Sequence, residues 1–205
     1  MIAVIDYGMG NLLSVTKALE HMGGNPVKIT SPDELDRASA FVLPGVGNFG
    51  DGMKNLNESG FSPAIIKAVE KGKPMLGICL GMQLLLENSE EAPGIKGLGI
   101  FKGSVIRFRD KSLKVPHMGW NQVRINQACK NFKDVPDDSY FYFVHSYYAQ
   151  PDDASIVCGV TSYGVDFASA IGREGIFATQ FHPEKSQDAG LKILENFVKS
   201  ANSSN

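Results

Sequence analysis

The sequence predicts an α/β fold, an open and mostly parallel sheet flanked by helices with additional antiparallel strands in the second half. Three observations predict it. Short apolar runs alternate with amphipathic segments over the first ninety residues, which calls for strands joined by right-handed helical crossovers. Lys73 to Asn88, KPMLGICLGMQLLLEN, passes from an apolar run into a leucine-rich segment across a single tight turn. Beyond Asn88 the pattern changes to glycine, then to short β-branched and aromatic runs.

Met1 to Asp6 reads as a strand entering the turn Tyr7-Gly8-Met9-Gly10, and Asn11 caps a helix whose Leu12, Val15, Leu19 and Met22 share one face. Gly23 and Gly24 stop that helix. Val27 to Thr30 is a second strand, Ser31-Pro32-Asp33-Glu34 has the cap, proline and early acids of a short helix, and Ala40 to Leu43 is a third strand. The third strand runs into Pro44-Gly45-Val46-Gly47. Ligands of open α/β sheets bind beyond strand ends, so this loop reads either as an ordinary tight connection or as backbone amides turned toward a developing oxyanion. Gly8-Met9-Gly10 lacks the remaining spacing of a dinucleotide fingerprint. Ser62 and Pro63 open the next helix as cap and first residue, and Gly72 ends it.

Met75 to Ile78 then suits a strand buried on both faces, and Leu80 to Leu86 suits a helix. Between them Gly77-Ile78-Cys79-Leu80-Gly81 has the spacing of a nucleophile elbow with cysteine in place of serine. A β-carbon at either flank would collide with its neighbours. Cys79 sits where helix amides favour a thiolate; equally, a small buried residue fits where a strand meets a helix. Val105–Phe108, 141–148, 156–161 and 167–172 are the strands expected of the second half, extending the same sheet or forming a small companion to it. Gly175 to Phe181 is a last strand, followed by His182-Pro183-Glu184-Lys185. Residues two apart in an extended chain point the same way, so His182 and Glu184 would present imidazole and carboxylate together. As a bare pair they also fit an ordinary solvated surface. A closing helix buries Leu191, Leu194, Phe197 and Val198, and the tail from Ser200 to Asn205 is expected to fray.

At 205 residues a single domain with a substantial core is expected, and no linker cuts it. Twenty basic against 22 acidic residues, with no basic block, give no nucleic-acid or anionic-membrane surface. No apolar run approaches the ~20 residues of a membrane span, and the amino terminus lacks a basic leader with a cleavage site. Cys79, Cys129 and Cys158 are odd in number and widely scattered, which argues for a reducing cytoplasm rather than a disulfide framework. No two cysteines or histidines have metal-ligand spacing. Cys129 and Cys158 read as inert thiols, His117 and His145 as structural histidines, and His21 as a residue at the end of the first helix facing solvent or the helix dipole.

Taken together, a cysteine on an elbow, a glycine loop at a neighbouring strand end and a His/Glu pair are the parts of a thiol acyl-transfer centre. GICLGMQLL and QFHPEKS resemble the class I glutamine amidotransferases over nearly the whole chain. DYGMGN, LPGVG, VPHMGWN and FVHSY resemble the branch whose glutaminase works as a heterodimer with a (β/α)8-barrel cyclase subunit. The resemblance implies an open, flavodoxin-like sheet, L-glutamine as substrate, no cofactor and no metal. It implies that Cys79 attacks the amide, His182 moves the proton and Glu184 holds His182. It further implies amides of Gly45, Val46, Gly47 and Leu80 at the oxyanion, Gln83, Glu91 and Ser146 around the bound glutamine, and Asn11, Trp120, Tyr142 and Lys185 facing the barrel. One loop peptide would point its carbonyl into the oxyanion position at rest and flip when the barrel closes, a motion that Gly45 and Gly47 make inexpensive. Three rivals remain: the glutaminase of pyridoxal phosphate synthase, whose loop carries Gly-Gly-Glu-Ser where this chain has Pro44 to Gly47, a cysteine peptidase or amidase of related fold, and a non-catalytic interaction module that has kept the fold.

Overall fold

The computed structural model describes residues 1–203. The first half is β1 (Ile2–Ile5), α1 (Leu12–His21), β2 (Pro26–Ile29), a 3-10 turn over Pro32–Arg37, β3 (Ala40–Leu43), α2 (Phe49–Glu58), α3 (Phe61–Glu70), β4 (Met75–Ile78) and α4 (Leu80–Gln83). The second half is β5 (Asn88–Ser89), β6 (Gly103–Arg107), β7 (His117–Ile125), β8 (Ser139–His145), β9 (Tyr147–Pro151), β10 (Val157–Tyr163), β11 (Val165–Arg173), β12 (Ile176–Thr179), a 3-10 turn over Pro183–Lys185, and α5 (Gln187–Ser203).

The main path of the sheet runs β2-β1-β3-β4-β12-β11-β10-β7-β8. Along this path every pairing from β2 to β12 is parallel, and every pairing from β12 to β8 is antiparallel. The architecture present is therefore the expected one, a mixed sheet whose helix-flanked parallel part carries an antiparallel extension. β1, β3, β4 and β12 are buried on both faces, as continuous apolar runs in a covered parallel sheet must be. Alternate residues feed two cores. Ala3, Ile5, Phe41 and Leu43 pack with Met53, Leu56, Phe61 and Ile65 of α2 and α3. Ile2, Val4, Ala40 and Val42 pack on the other side with Val15 and Leu19 of α1 and Ile193, Leu194 and Phe197 of α5.

Parallel pairing decides where the loops go. β3 and β4 align Leu43 with Gly77, and β4 and β12 align Ile78 with Thr179. The segments that follow these three strands, Pro44 to Gly47, Cys79, and Gln180 to Glu184, therefore leave from one edge.

Several elements differ from the sequence-based expectation. α2 was not foreseen, because its glycines and asparagines mask the buried face of Phe49, Gly52, Met53 and Leu56. Its neighbour α3 starts at Phe61 after Gly60, which turns the chain at φ +75°; Ser62 is a buried residue inside the helix, not its cap. The expected helix over Leu80 to Leu86 stops at Gln83. The carbonyls of Leu84, Leu85 and Leu86 are taken by the amides of Leu98, Phe101 and Gly99, so the backbone leaves the helix with its polar groups satisfied. The strand expected over 141–148 breaks at Ser146 into β8 and β9, and β7 was missed because Asn121, Gln122 and Arg124 dilute its apolar face. Where fraying was expected from Ser200, α5 continues to Ser203 and buries Ala201; residues 204 and 205 lie outside the described residues. Among the described residues no helix is long and apolar enough to cross a membrane.

Candidate functional site

Cys79 is the residue between β4 and α4, with φ 54° and ψ −108°. An L-residue adopts such a backbone only when its surroundings force it. A β-carbon on Gly81 would overlap the carbonyl oxygen of Leu43, and one on Gly77 would sit 3.0 Å from Cβ of Ala178. These two glycines let the elbow press against β3 and β12 and leave the sulfur at the sheet edge.

His182 arrives from the far end of the chain on the segment after β12. It is buried, and its Nδ1 lies 2.8 Å from Oε1 of Glu184, itself buried. The pair meets by a route other than the extended chain expected. Lys185 donates to the His182 carbonyl and closes a 3-10 turn, and the turn folds the carboxylate back onto the imidazole. Nε2 of His182 is buried without a formed hydrogen bond among the described residues, and its interacting neighbour is the Cys79 sulfur. Burial opposes a charge on His182, but hydrogen bonding and charge interaction with Cys79 and Glu184 outweigh it and raise the imidazole to about 10. Sulfur, imidazole and carboxylate thus form one line.

Cys79 opens into a cavity of about 250 Å³ whose wall includes Val46, Gly47, Leu80, Gln83, Glu91 and Ser146. The residues expected around a substrate converge there, except Gly45, which is not in the wall and meets it through the Leu80 amide. Their present partners are informative. The amide of Leu80 is occupied by the carbonyl of Gly45 at 3.3 Å. Glu91 accepts from the amide of Phe49 at 2.8 Å and so holds the start of α2. Gln83 donates from Nε2 to the carbonyl of Tyr147 and to Oε1 of Gln180, each at 3.0 Å. A β-carbon on Gly45 would strike the hydroxyl of Tyr7, a buried group with no partner among the described residues. Burial first, and the nearby Cys79 second, push that phenol well above its ordinary value.

Three of the residues expected at a partner surface cluster. Trp120 stands edge-on to Tyr142 at 6.2 Å, and Nζ of Lys185 lies 5.8 Å over the Tyr142 ring. Asn11 makes none of these contacts; its side chain caps α1 by accepting from Ser14. Tyr142 also joins the site through its backbone, accepting from the amide of His182 at 3.0 Å.

Some functional geometry was not foreseen. Gln180 is fully buried and donates from Nε2 to the sulfur of Cys79 at 3.7 Å. In the sequence it is one more polar residue at a strand end, and only the position beside His182 marks it. His117 and His145 join through Nδ1 and Nε2 at 2.9 Å, and burial lowers them to about 4 and about 3. Cys129 and Cys158, distant in sequence, are neighbours in space, and the Cys158 side chain is the main cause of the lowered pKa of Cys129. At the sheet edge, Cys79 with His182 behind it and the cavity before it is the arrangement with which a thiolate attacks a carbonyl carbon.

The family model for class-I glutamine amidotransferases matches residues 3–201. A protein of Methanocaldococcus jannaschii named imidazole glycerol phosphate synthase subunit HisH is 52% identical over 199 residues, covering 97% of this chain and 99% of its own length. Its namesake in Geobacter metallireducens is 49% identical over 205 residues, covering 97% and 98%. Among solved structures, one described as a glutamine amidotransferase superposes with a TM-score of 0.78 at 18% identity, over 98% of this chain and all of its own. The structure of PurLQS from Thermotoga maritima superposes with a TM-score of 0.77 at 21% identity, covering 97% of each chain. These two likenesses concern the fold.

Proposed function

The chain belongs to the class-I glutamine amidotransferase family, and from that premise we propose that it is the glutaminase subunit of an imidazole glycerol phosphate synthase, acting in histidine biosynthesis. The observation that carries the chemistry is the convergence of Cys79, His182 and Glu184 at one edge of the sheet, beside a pocket of amino-acid size. The branch within the family rests on relatives about half identical from end to end.

Cys79 Sγ attacks the side-chain amide carbon of glutamine, and the carbonyl electrons move onto oxygen. His182 passes a proton to the departing nitrogen, the C–N bond breaks, and ammonia leaves a glutamyl thioester. Water, relieved of a proton by His182, then displaces the sulfur and gives glutamate. Glu184 orients the imidazole and stabilises its charged form. The oxyanion needs donors, and in the present state the Leu80 amide already holds the Gly45 carbonyl. This favours a resting loop that must turn before the amides of Val46, Gly47 and Leu80 serve the intermediate. Gln83, Glu91 and Ser146 would hold the amino-acid end of glutamine.

The ammonia goes to a (β/α)8-barrel cyclase subunit bound as a heterodimer. Ammonia in water is mostly ammonium, a poor nucleophile that an apolar passage rejects on charge. A sealed interface keeps the neutral form. Trp120, Tyr142 and Lys185, with Asn11, would face that barrel.

The test is glutaminase activity with and without the barrel and its ribonucleotide substrate, followed by Cys79→Ala. The substitution is expected to abolish glutamine-dependent synthesis and to leave ammonia-dependent synthesis by the barrel intact. Glutamine-dependent turnover near the original rate would remove Cys79 from the mechanism.

A further inference from the structure

We infer that Gln180 is a further catalytic residue, whose side-chain amide donates a hydrogen bond to the Cys79 sulfur and stabilises it as the thiolate. The inference rests on the proposed glutaminase reading. It starts from a backbone carbonyl 68 positions from the nucleophile. The Tyr147 oxygen can only accept, so the side-chain nitrogen of Gln83, 3.0 Å away, must be the group facing it. That orientation turns the same nitrogen toward Gln180 at 3.0 Å, so Gln180 presents its oxygen to Gln83. With its oxygen committed, Gln180 has only its N–H groups left for the sulfur at 3.7 Å.

The chain of constraints extends outward. Nδ1 of His145 lies 2.8 Å from the same Tyr147 carbonyl and must carry the proton there. Its Nε2 then accepts from Nδ1 of His117, whose Nε2 accepts from the Asn121 amide at 3.2 Å. Every member has one permitted orientation, and the last donor points at the nucleophile. The two glutamines are 5% and 0% exposed, so no water competes for the amide groups that face each other. A donor aimed at sulfur stabilises the thiolate over the thiol, because only the anion is a strong acceptor. The ionisable groups around the sulfur are His182 after β12 with Glu184 behind it, Tyr7 after β1, and Glu91 and His145 in the cavity wall. Gln180 is the donor beside the sulfur that cannot ionise, and it keeps that role at every pH.

The experiment is alkylation of the full-length chain by iodoacetamide across a range of pH, read at Cys79 by peptide mass, for the unmodified sequence and for Gln180→Met. The midpoint for Cys79 is expected to rise by about one pH unit. Glutaminase kcat in the barrel complex should fall by roughly tenfold or more, with KM for glutamine changed less than about threefold. Gln180 is not in the cavity wall, and Gln83, which is, keeps its bond to the Tyr147 carbonyl when Gln180 is replaced, so the effect on KM is expected to be the smaller one. An unchanged alkylation midpoint in a folded variant overturns the role. If Gln180→Met does not fold, the side-chain amide protons of Gln180 are followed by NMR in the unmodified chain. A shift tracking the titration of Cys79 and lost in Cys79→Ala supports the bond; no response overturns it. Loss of partner-stimulated glutaminase in the unmodified complex would instead defeat the proposed function, and the thiol titration would still decide the role of Gln180.

Discussion

His182 and its two buried counterparts respond to protons in opposite senses. Folding raises His182 from its ordinary value near 6.5 to about 10, so its contribution to stability is complete below about pH 6.5 and is lost as pH rises toward 10. His117 and His145 are held neutral, at about 4 and about 3. Below about pH 6.5 the unfolded chain takes up protons that these two refuse, and stability falls as pH drops toward 4. Urea midpoints measured from pH 5 to 9.5 are therefore expected to peak near neutrality. Glu184→Gln, which removes one of the two partners that raise His182, should flatten the alkaline limb and leave the acid limb in place. A wild-type profile with no alkaline decline would contradict the raised His182. Little of this was readable from residue type. HPEK gives the spacing of imidazole and carboxylate, but burial and the approach of the sulfur set the direction of the shift.

At the scale of elements, the elbow is a strained joint kept for the position of its sulfur. Cys79 has φ 54° in a backbone built for glycine, which costs about 1–3 kcal/mol. Alanine keeps that strain and glycine removes it. Cys79→Gly is therefore expected to be about 1 kcal/mol more stable than Cys79→Ala in urea unfolding, although both are expected to be inactive and glycine usually lowers stability by loosening the unfolded chain. Equal stabilities would mean that the turn is unstrained. The elbow was legible in the sequence because a Gly-x-Cys-x-Gly spacing between an apolar run and a leucine-rich segment is a local steric statement. The turn at His182-Pro183-Glu184 was not. Its residues suit an extended chain equally well, and the choice is made where the amide of His182 meets the Tyr142 carbonyl and Oγ of Ser186 bonds both the His182 carbonyl and the Tyr142 amide. The short helix α4 has the same explanation: Leu84 to Leu86 favour a helix locally, and partners from residues 98–101 take their carbonyls instead.

For the whole molecule, the outer face of β7 and β8 is the surface proposed to meet the barrel. Their antiparallel register sets Trp120 opposite Tyr142 and Met118 opposite Val144, while Phe141 and Phe143 turn inward. Trp120 remains 46% exposed. An exposed aromatic of this size is the kind of residue that carries binding energy at interfaces. Trp120→Ala is expected to weaken the barrel complex by about 2 kcal/mol, roughly 30-fold in Kd, and to change the urea midpoint of the free chain little. Titration calorimetry with an unchanged Kd would place the interface elsewhere. The same face touches the active site, because β8 lies against the turn that carries His182, and binding there has a short path to the imidazole.

The sequence alone determined the layered α/β architecture, the elbow, the glycine loop and the spacing of His182 and Glu184. These are local consequences of side-chain period and glycine sterics, and each is written within a few consecutive residues. Tertiary structure decided which groups face each other across long separations. Gln83 and Gln180 are 97 residues apart, Cys129 and Cys158 occupy different segments, and the Leu80 amide meets Gly45 from another strand end. Such pairings depend on strand order and register, which no short run of residues encodes.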